Sequence, residues 1–158
     1  MVRLAAQLAW EGHLPSVESM WLRSKDLSDI PRDQLGKLAS LVTGWVDINN
    51  IKPAIYLDII LERVRCPLLQ LENTSLTDPQ TRALITAMRD GVERVGLYGD
   101  VTLDIEALCQ YDGRGTCWEI EVMSDTRTRY GERLRCWRVE VDWELREDRD
   151  DWLRMERK

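Results

Sequence analysis

Pairs of apolar residues separated by one residue recur along this chain at a nearly constant interval. The pairs are Met20/Leu22, Val46/Ile48, Leu69/Leu71, Val95/Leu97, Ile120/Val122 and Trp143/Leu145. Their second members lie 26, 23, 26, 25 and 23 residues apart. Alternation of this kind is typical of a short strand with one buried face, and a fixed period of this length is typical of stacked structural repeats. The spacing therefore predicts six copies of one strand-containing unit.

The third copy shows the whole unit. Leu69 and Leu71 mark its strand. Asp78 predicts a helix N-cap, and Pro79 fits the first helical position, where its missing N–H costs no hydrogen bond. The helix has an apolar stripe at i, i+3, i+4 and i+7, formed by Thr81, Leu84, Ile85 and Met88. Gly91 predicts the end of the helix, so each unit is expected to be a strand followed by a helix.

Alignment of the other copies to the third predicts their elements. The predicted strands are residues 18–23, 45–49, 94–98 and 118–123. The predicted helices are a helix ended by Gly44, a helix over 54–64, a short helix capped by Asp104 and a long helix capped by Asp125. Their inward residues include Leu35, Leu38, Ile55, Ile59, Ile60, Tyr130, Leu134 and Trp137.

The two ends of the chain are predicted to close the stack. Residues 3–10 carry Leu4 and Leu8 at helical spacing, which indicates a helix over the first unit. Residues 141–147 and 152–157 both alternate around the polar segment 148–151, which indicates a hairpin over the last one.

The third copy reads Cys66-x-x-Leu69-x-Leu71-x-x-Thr74-x-Leu76. It resembles the leucine-rich repeat family, whose pattern is L-x-x-L-x-L-x-x-N/C-x-L, at every position except the polar one. The units look most like the ribonuclease-inhibitor type. The resemblance implies one α/β domain, a short right-handed solenoid with a concave parallel sheet and convex helices. Residues 1–15 would be an N-terminal helical cap, 16–140 the repeats and 141–158 a C-terminal hairpin cap.

The composition limits partners and location. A net charge of −6 argues against nucleic acid as a partner, because binding to nucleic acid depends on many Lys and Arg contacts to phosphate. No run approaches the roughly 20 apolar residues of a membrane span. The start of the chain is too short and interrupted for a secretory signal, so a cytoplasmic location is favoured, with secretion as the alternative.

The four cysteines agree with that expectation. Cys66 and Cys117 occupy matching inward positions two repeats apart, about 10 Å in a sheet, which is beyond disulfide reach. Cys109 and Cys136 fall on consecutive helices and could meet, but free thiols are the preferred interpretation. Free thiols favour a reducing compartment.

Three aromatic residues are predicted on the face of the sheet that the helices leave open. They are Trp21, Trp45 and Tyr98. Large aromatic side chains on a face that water reaches commonly mark interaction surfaces. Two interpretations remain: these side chains bind a ligand, or loops and a terminal segment cover them.

Five carboxylates are predicted on the same concave face. They are Asp47, Glu119, Glu121, Asp142 and Glu144. The last four would lie on two neighbouring strands about 5 Å apart, where like charges repel one another. The cluster is therefore a solvated acidic face, the docking site of a basic protein or a calcium site. A metal is not expected, because no Asp-x-Asp-x-Asp-Gly loop accompanies the carboxylates.

Two further surfaces are predicted near the C-terminus. The fifth helix carries Arg127, Arg129, Arg133, Arg135 and Arg138. These residues form either a solvated helix face or an anion patch for a phosphate-bearing glycolipid, which Arg can bind in bidentate fashion. The last strand would have unpaired backbone groups, so Trp152 and Met155 are candidates for contact with a second copy.

The chain carries no signature of an enzyme. It has one histidine, His13, and lacks a nucleophile elbow, a phosphate-binding loop, a dinucleotide fingerprint and a zinc ligand set. Neither catalysis nor a cofactor is expected. The resemblance to leucine-rich-repeat-only proteins implies a recognition protein of innate immunity that binds microbial surface molecules, such as lipopolysaccharide, as a homodimer. The alternative is an intracellular scaffold or inhibitor that binds a basic protein on its acidic concave face.

Overall fold

The computed structural model describes residues 2–23, 29–51, 56–149 and 151–158. Its helices are α1 (Val2–Trp10), α2 (Arg32–Ser40), α3 (Leu57–Arg63), α4 (Asp78–Asp90), α5 (Ile105–Leu108) and α6 (Ser124–Glu140). Its strands are β1 (Val17–Arg23), β2 (Val42–Asn49), β3 (Leu68–Glu72), β4 (Arg94–Tyr98), β5 (Glu119–Met123), β6 (Trp143–Arg149) and β7 (Trp152–Arg157). The α/β class predicted from the repeats is confirmed.

The strands form one open seven-stranded sheet in the order β1-β2-β3-β4-β5-β7-β6. Strands β1 to β5 are parallel. Strand β7 runs antiparallel to β5, and β6 runs antiparallel to β7. Successive helices from α1 to α5 contact one another. They therefore cover one face of the sheet and leave the other face open.

The first five apolar pairs lie in two rows across the covered face. One row is Met20, Val46, Leu69, Val95 and Ile120, and the other is Leu22, Ile48, Leu71, Leu97 and Val122. Every member of both rows is buried. The register is well determined, because a shift by one residue would turn these side chains away from the core.

Helix α4 begins one residue earlier than predicted. Its N-cap is Thr77 rather than Asp78, and Pro79 is the second helical residue. Gln80 N donates to Thr77 Oγ1 over 3.3 Å, and Thr77 N donates to Gln80 Oε1 over 2.9 Å. This reciprocal capping box satisfies two backbone donors and so determines where the helix starts. Gly91 is the C-cap, as predicted.

Glycine 44 lies inside β2 and does not end α2, which stops at Ser40. A Cβ atom on Gly44 would lie 2.6 Å from the carbonyl oxygen of Glu18 on β1, so this glycine allows the two strands to approach closely. Helix α6 starts directly after β5 without a side-chain cap, so Asp125 is not its N-cap. The predicted Asp104 cap of α5 is confirmed.

The second and first helices also differ in detail from their predictions. The helix predicted over 54–64 is observed as α3, and Ile55 lies outside the described residues. Helix α1 covers the start of the stack, but Leu4 is exposed and Ala6 and Ala9 are fully buried. Small side chains suit this position, because α1 packs directly against α2.

The C-terminal hairpin is present, but its second strand joins the sheet first. Strand β7 pairs with β5, and β6 becomes the edge. The inward residues explain this order. Leu153 and Met155 of β7 are fully buried, whereas on β6 only Trp143 is buried and is followed inward by the half-buried Leu145 and the exposed Glu147. Strand β7 therefore extends the apolar core better than β6 can.

Two predictions are wrong for this reason. The pair Trp143/Leu145 is not a sixth parallel repeat, because β6 does not pair with β5: β7 lies between them and pairs antiparallel with both. Trp152 and Met155 do not lie on an edge strand, because β7 has a strand on each side and Met155 is fully buried. The edge available to a second copy on this side of the sheet is β6.

Candidate functional site on the open face of the sheet

The open face carries the side chains that alternate with the buried pairs, and these also lie in rows. The central row is Trp21, Asp47, Gln70, Gly96, Glu121, Arg154 and Arg146. The row before it is Ser19, Trp45, Leu68, Arg94, Glu119, Glu156 and Glu144, and the row after it includes Arg23, Asn49, Glu72 and Tyr98. The rows determine which of the predicted site residues meet.

Trp21 and Trp45 meet at the β1 edge. Their ring centroids lie 5.0 Å apart with an interplanar angle of 69°, which is an edge-to-face contact. Trp21 is 65% exposed, and Trp45 is half-buried. The Trp21 ring is therefore open to a ligand.

Tyr98 does not join this aromatic pair. Strand β3 separates its strand from that of Trp45, and its ring lies over Gly96, where a Cβ atom would come 2.5 Å from Tyr98 Cζ. Burial raises the pKa of Tyr98 to about 12, and the nearby Glu121 adds to the rise. Tyr98 therefore remains a neutral phenol that packs on the sheet. The glycine in an outward-facing row is the sequence signal that points to this arrangement.

Asp47 belongs to the predicted acidic set, but its neighbours in the central row are Trp21 and Gln70. Burial raises the pKa of Asp47, Glu72 raises it further, and Arg23 opposes the rise. Asp47 Oδ1 is buried and has no hydrogen-bond partner among the described residues. A buried oxygen without a donor costs free energy, which a ligand with an N–H donor would recover. We name Trp21, Trp45 and Asp47 the β1 patch.

The other four predicted carboxylates are not on neighbouring strands, and this part of the prediction is wrong. Strand β7 lies between β5 and β6 and places Arg154 among them. Arg154 Nε lies 2.8 Å from Glu156 and 3.8 Å from Glu119. Arg146 lies 3.7 Å from Glu156 and 4.0 Å from Glu144. We name these five residues, Glu119, Glu144, Arg146, Arg154 and Glu156, the C-terminal charge network.

Burial has a different consequence at Glu119 than at Asp47. Glu119 is 6% exposed, and burial raises its pKa, but Arg94 and Arg154 oppose the rise. Its charge is thus compensated within the protein. Asp142 lies before β6, outside the network, and accepts a hydrogen bond of 2.6 Å from Lys158 Nζ.

The α6 arginines are mostly engaged by carboxylates. Arg129 lies 2.6 Å from Asp100, and Arg133 donates to both carboxylate oxygens of Glu106, over 3.0 and 3.2 Å. Arg135 and Arg127 both pair with Glu147, and the hydrogen bond from Arg135 lowers the pKa of that carboxyl group. Arg138 lines a cavity beside β6. An anion at α6 would therefore have to compete with bound carboxylates for four of the five predicted residues.

Residues 2–23, 29–51, 56–149 and 151–158 contain neither a metal-binding cluster nor a membrane-spanning helix. No group of three or more His, Cys, Asp or Glu residues there is arranged to hold a metal ion. No helix there is long and apolar enough to cross a membrane.

No protein-family model matches the chain, and no curated protein and no solved structure matches it either. The geometry of the open face is therefore the basis on which a function is assigned.

Proposed function

We propose that this chain is a leucine-rich-repeat-type solenoid that binds a partner protein and catalyses no reaction. The β1 patch is the centre of the binding surface. The partner contributes a Lys or Arg side chain that reaches Asp47 beside the two tryptophan rings.

The contacts between successive units support the solenoid assignment. Leu76 N donates to Thr102 O over 2.7 Å, and Thr102 N donates to Thr74 O over 3.2 Å, which joins the turns after β3 and β4. Thr126 makes the next connection, because its hydroxyl accepts from Val101 N and donates to Gly99 O, each over 2.9 Å. The third, fourth and fifth units are thus bonded in succession, as in repeat proteins.

The observation that carries the binding proposal is the unpartnered Oδ1 atom of Asp47 next to the exposed ring of Trp21. A carboxylate supplies a charge-assisted hydrogen bond to a cation, and an aromatic face attracts the same cation through its quadrupole. Trp45 narrows the site by contacting Trp21 edge to face. These three groups together suit a guanidinium or ammonium group better than an anion.

The charge distribution favours the same choice. The chain has a net charge of −6. Four of the five arginines on α6 already contact carboxylates, so most of the positive charge of this helix is neutralised within the protein. Long-range attraction therefore steers cationic rather than anionic partners toward the protein.

A peptide titration tests this proposal. A blocked Gly/Arg peptide is titrated into the protein while tryptophan fluorescence is followed, with a Gly/Glu peptide of equal length as the control ligand. We expect saturable binding of the Arg peptide only, and a loss of about tenfold in affinity for Asp47→Asn, because the charge-assisted bond is removed. Asp33→Asn, the same change at an exposed position on α2, is the matched control and should bind normally. Equal binding of the two peptides, or equal affinities of the two variants, would contradict the proposal.

A second candidate keeps the hypothesis of a microbial ligand. The observation that favours it is the exposed Trp21 ring beside Trp45, a pair that can bury the apolar face of a sugar or an acyl chain. Lipopolysaccharide would then bind in a way that depends on Trp21→Ala and not on Asp47→Asn. Binding through its phosphates would instead be lost in Arg129→Glu/Arg133→Glu, whose arginines would first have to leave Asp100 and Glu106.

A further inference from the structure

The β6 edge differs from an ordinary blunted sheet edge. Among the described strands, β6 pairs only with β7, so its outer backbone groups face away from the sheet. Beside this edge lies an open cavity of about 330 Å³, whose lining includes Arg138, Val139 and Leu145. Val139 on α6 is 64% exposed, and Leu145 is half-buried. The rest of the lining is Trp143 and four charged residues, Asp142, Glu144, Arg146 and Lys158. Apolar and charged side chains together thus border unpaired backbone groups, and an edge strand with such groups can add another strand.

We propose that β6 pairs antiparallel with β6 of a second copy of this chain, around a two-fold axis at Leu145. In this arrangement Leu145 lies opposite the partner's Leu145. Glu144 lies opposite the partner's Arg146, and Arg146 lies opposite the partner's Glu144. The interface is self-complementary, as a two-fold contact requires.

The two faces of β6 fit this register. Leu145 shares the helix-covered side with the buried Trp143 and lies beside the cavity that Val139 lines, so the two copies of Leu145 contact each other on that side of the sheet. Glu144 and Arg146 alternate with them and lie on the open side. Their present ion pair is long, at 4.0 Å, and Arg146 also lies 3.7 Å from Glu156. Both side chains are about half exposed, so Arg146 can exchange these contacts for one with the partner's Glu144.

The neighbouring registers are disfavoured by charge. Both copies must keep their open faces on the same side to form one continuous sheet, so one residue of β6 must lie opposite its own copy, with the two-fold axis midway between the two. An axis at Glu144 would place two glutamates opposite each other, and an axis at Arg146 would place two arginines opposite each other. Like charges directly opposite across a strand pair are destabilising. Leu145 is therefore the centre that the sequence of β6 selects.

Light scattering on a sizing column, over a series of protein concentrations, tests the pairing. We expect the mass to rise from 18.5 kDa toward twice that value as the concentration increases. Glu144→Arg and Arg146→Glu should each weaken the dimer by at least about tenfold, because each places like charges opposite one another at both symmetric positions. The double variant Glu144→Arg/Arg146→Glu restores the opposite charges and should restore the dimer. Arg23→Glu makes the same charge reversal on β1, at the other edge, and should have no effect.

A cross-link provides a second measurement that does not depend on charge. Opposite Cβ atoms of an antiparallel pair lie about 5 Å apart, so Leu145→Cys should form a disulfide between the two copies. The variant is made together with Cys136→Ser, which removes the exposed thiol, and is oxidised with glutathione disulfide, which is reduced to two glutathione molecules. Arg23→Cys with Cys136→Ser is the control. The proposal would be overturned by a monomer at every concentration, by charge-reversal variants that dimerise as strongly as the original protein, or by equal cross-linking of the two cysteine variants.

Discussion

Strands β1 to β3 and strands β5, β7 and β6 present very different surfaces on the same open face. The first group exposes Trp21 and leaves Asp47 Oδ1 without a partner among the described residues. The second group sets Arg154 and Arg146 between carboxylates, so that its charges are compensated by ion pairs, although Arg154 Nε also makes no hydrogen bond of good geometry to the described residues. A surface whose charges are paired is already stable, whereas an unpaired buried carboxylate gains from a ligand. The comparison therefore directs attention to the β1 patch as the binding site.

The difference between the two groups comes from strand order. Parallel strands joined through helices keep the order of the repeats, so each β1 to β3 side chain meets the equivalent residue of the next unit. The hairpin inserts β7 beside β5 and introduces arginine where the repeats alone would place carboxylates next to one another. Its effect on stability can be measured directly.

Removal of the central arginine of the C-terminal charge network should have the largest effect. Arg154→Met leaves Glu119, which is 6% exposed, without its β7 partner. We expect a loss of about 3 kcal/mol in the free energy of unfolding at neutral pH, because the buried Glu119 keeps only Arg94 and Glu156 loses its nearest cation. Urea denaturation measures it. Addition of Glu119→Gln should recover much of the loss, and additive effects of the two changes would show that the pair does not interact.

The tryptophans of the two regions should respond unequally to truncation. Trp152 is half-buried on β7, and Arg154 Cζ lies 4.8 Å from its ring centroid. Trp152→Ala should cost about 2 kcal/mol, because it loses both packing and a cation–π contact. Trp21→Ala should cost only about 0.5 kcal/mol, since an exposed side chain contributes little to folding. Thermal unfolding compares the two, and an equal cost would mean that Trp21 is a structural rather than a binding residue.

Asp47→Asn should increase the stability of the free protein. Burial raises the pKa of Asp47, so its ionised form is disfavoured in the folded state. Replacement by a neutral side chain should add about 1 kcal/mol to the free energy of unfolding at neutral pH. A carboxylate that lowers the stability of the free protein is expected at a binding site.

The pH dependence of the free energy of unfolding tests whether the charge of Asp47 causes this gain in stability. A raised carboxyl pKa means that ionisation destabilises the fold at neutral pH, and that this cost disappears as the pH falls through the folded-state pKa toward the unfolded value. The advantage of Asp47→Asn should therefore be present at neutral pH and vanish on acidification. The pKa shift of Asp58 has the opposite sign, because hydrogen bonds from Arg32 lower the pKa of this carboxyl group. The stability that ionised Asp58 contributes is therefore lost on acidification. An advantage that persists in acid would show that the charge of Asp47 is not its cause.

The sequence predicted the strands well because their signal is local. The alternation of apolar and other residues predicts directly that Leu69 and Leu71 are buried and that Gln70 lies on the open face. The same holds for the other four parallel strands. The position of the C-terminal hairpin in the sheet is not determined by a local sequence signal. It depends on whether the inward residues of β7, Leu153 and Met155, or those of β6, Trp143, Leu145 and Glu147, lie next to β5, which is a competition between two alternating segments.

The same distinction separates the site residues that the sequence located from those it did not. Trp21 and Trp45 meet because β1 and β2 follow the repeat order. The prediction of an acidic cluster is wrong because Arg154 lies among the carboxylates, and Arg154 belongs to β7, a strand whose position the sequence did not predict. Charges are visible in a sequence, but their partners across a sheet depend on topology.

On the helix-covered side of the sheet, the two regions should be equally well protected from solvent. The buried thiols of Cys66 and Cys117 test this expectation. Cys66 Sγ contacts Leu68 O at 3.2 Å, and Cys117 Sγ makes the equivalent contact with Glu119 O at 3.4 Å. Burial raises the pKa of Cys66 to about 11 and that of Cys117 to about 12, so both remain protonated at neutral pH. A thiol-specific reagent should therefore modify only the exposed Cys136 rapidly, and the other thiols only after denaturant is added. Rapid reaction of Cys66 but not Cys117 would mean that the β1 to β3 region opens more readily, and the difference between the two surfaces would then reflect local stability rather than charge pairing.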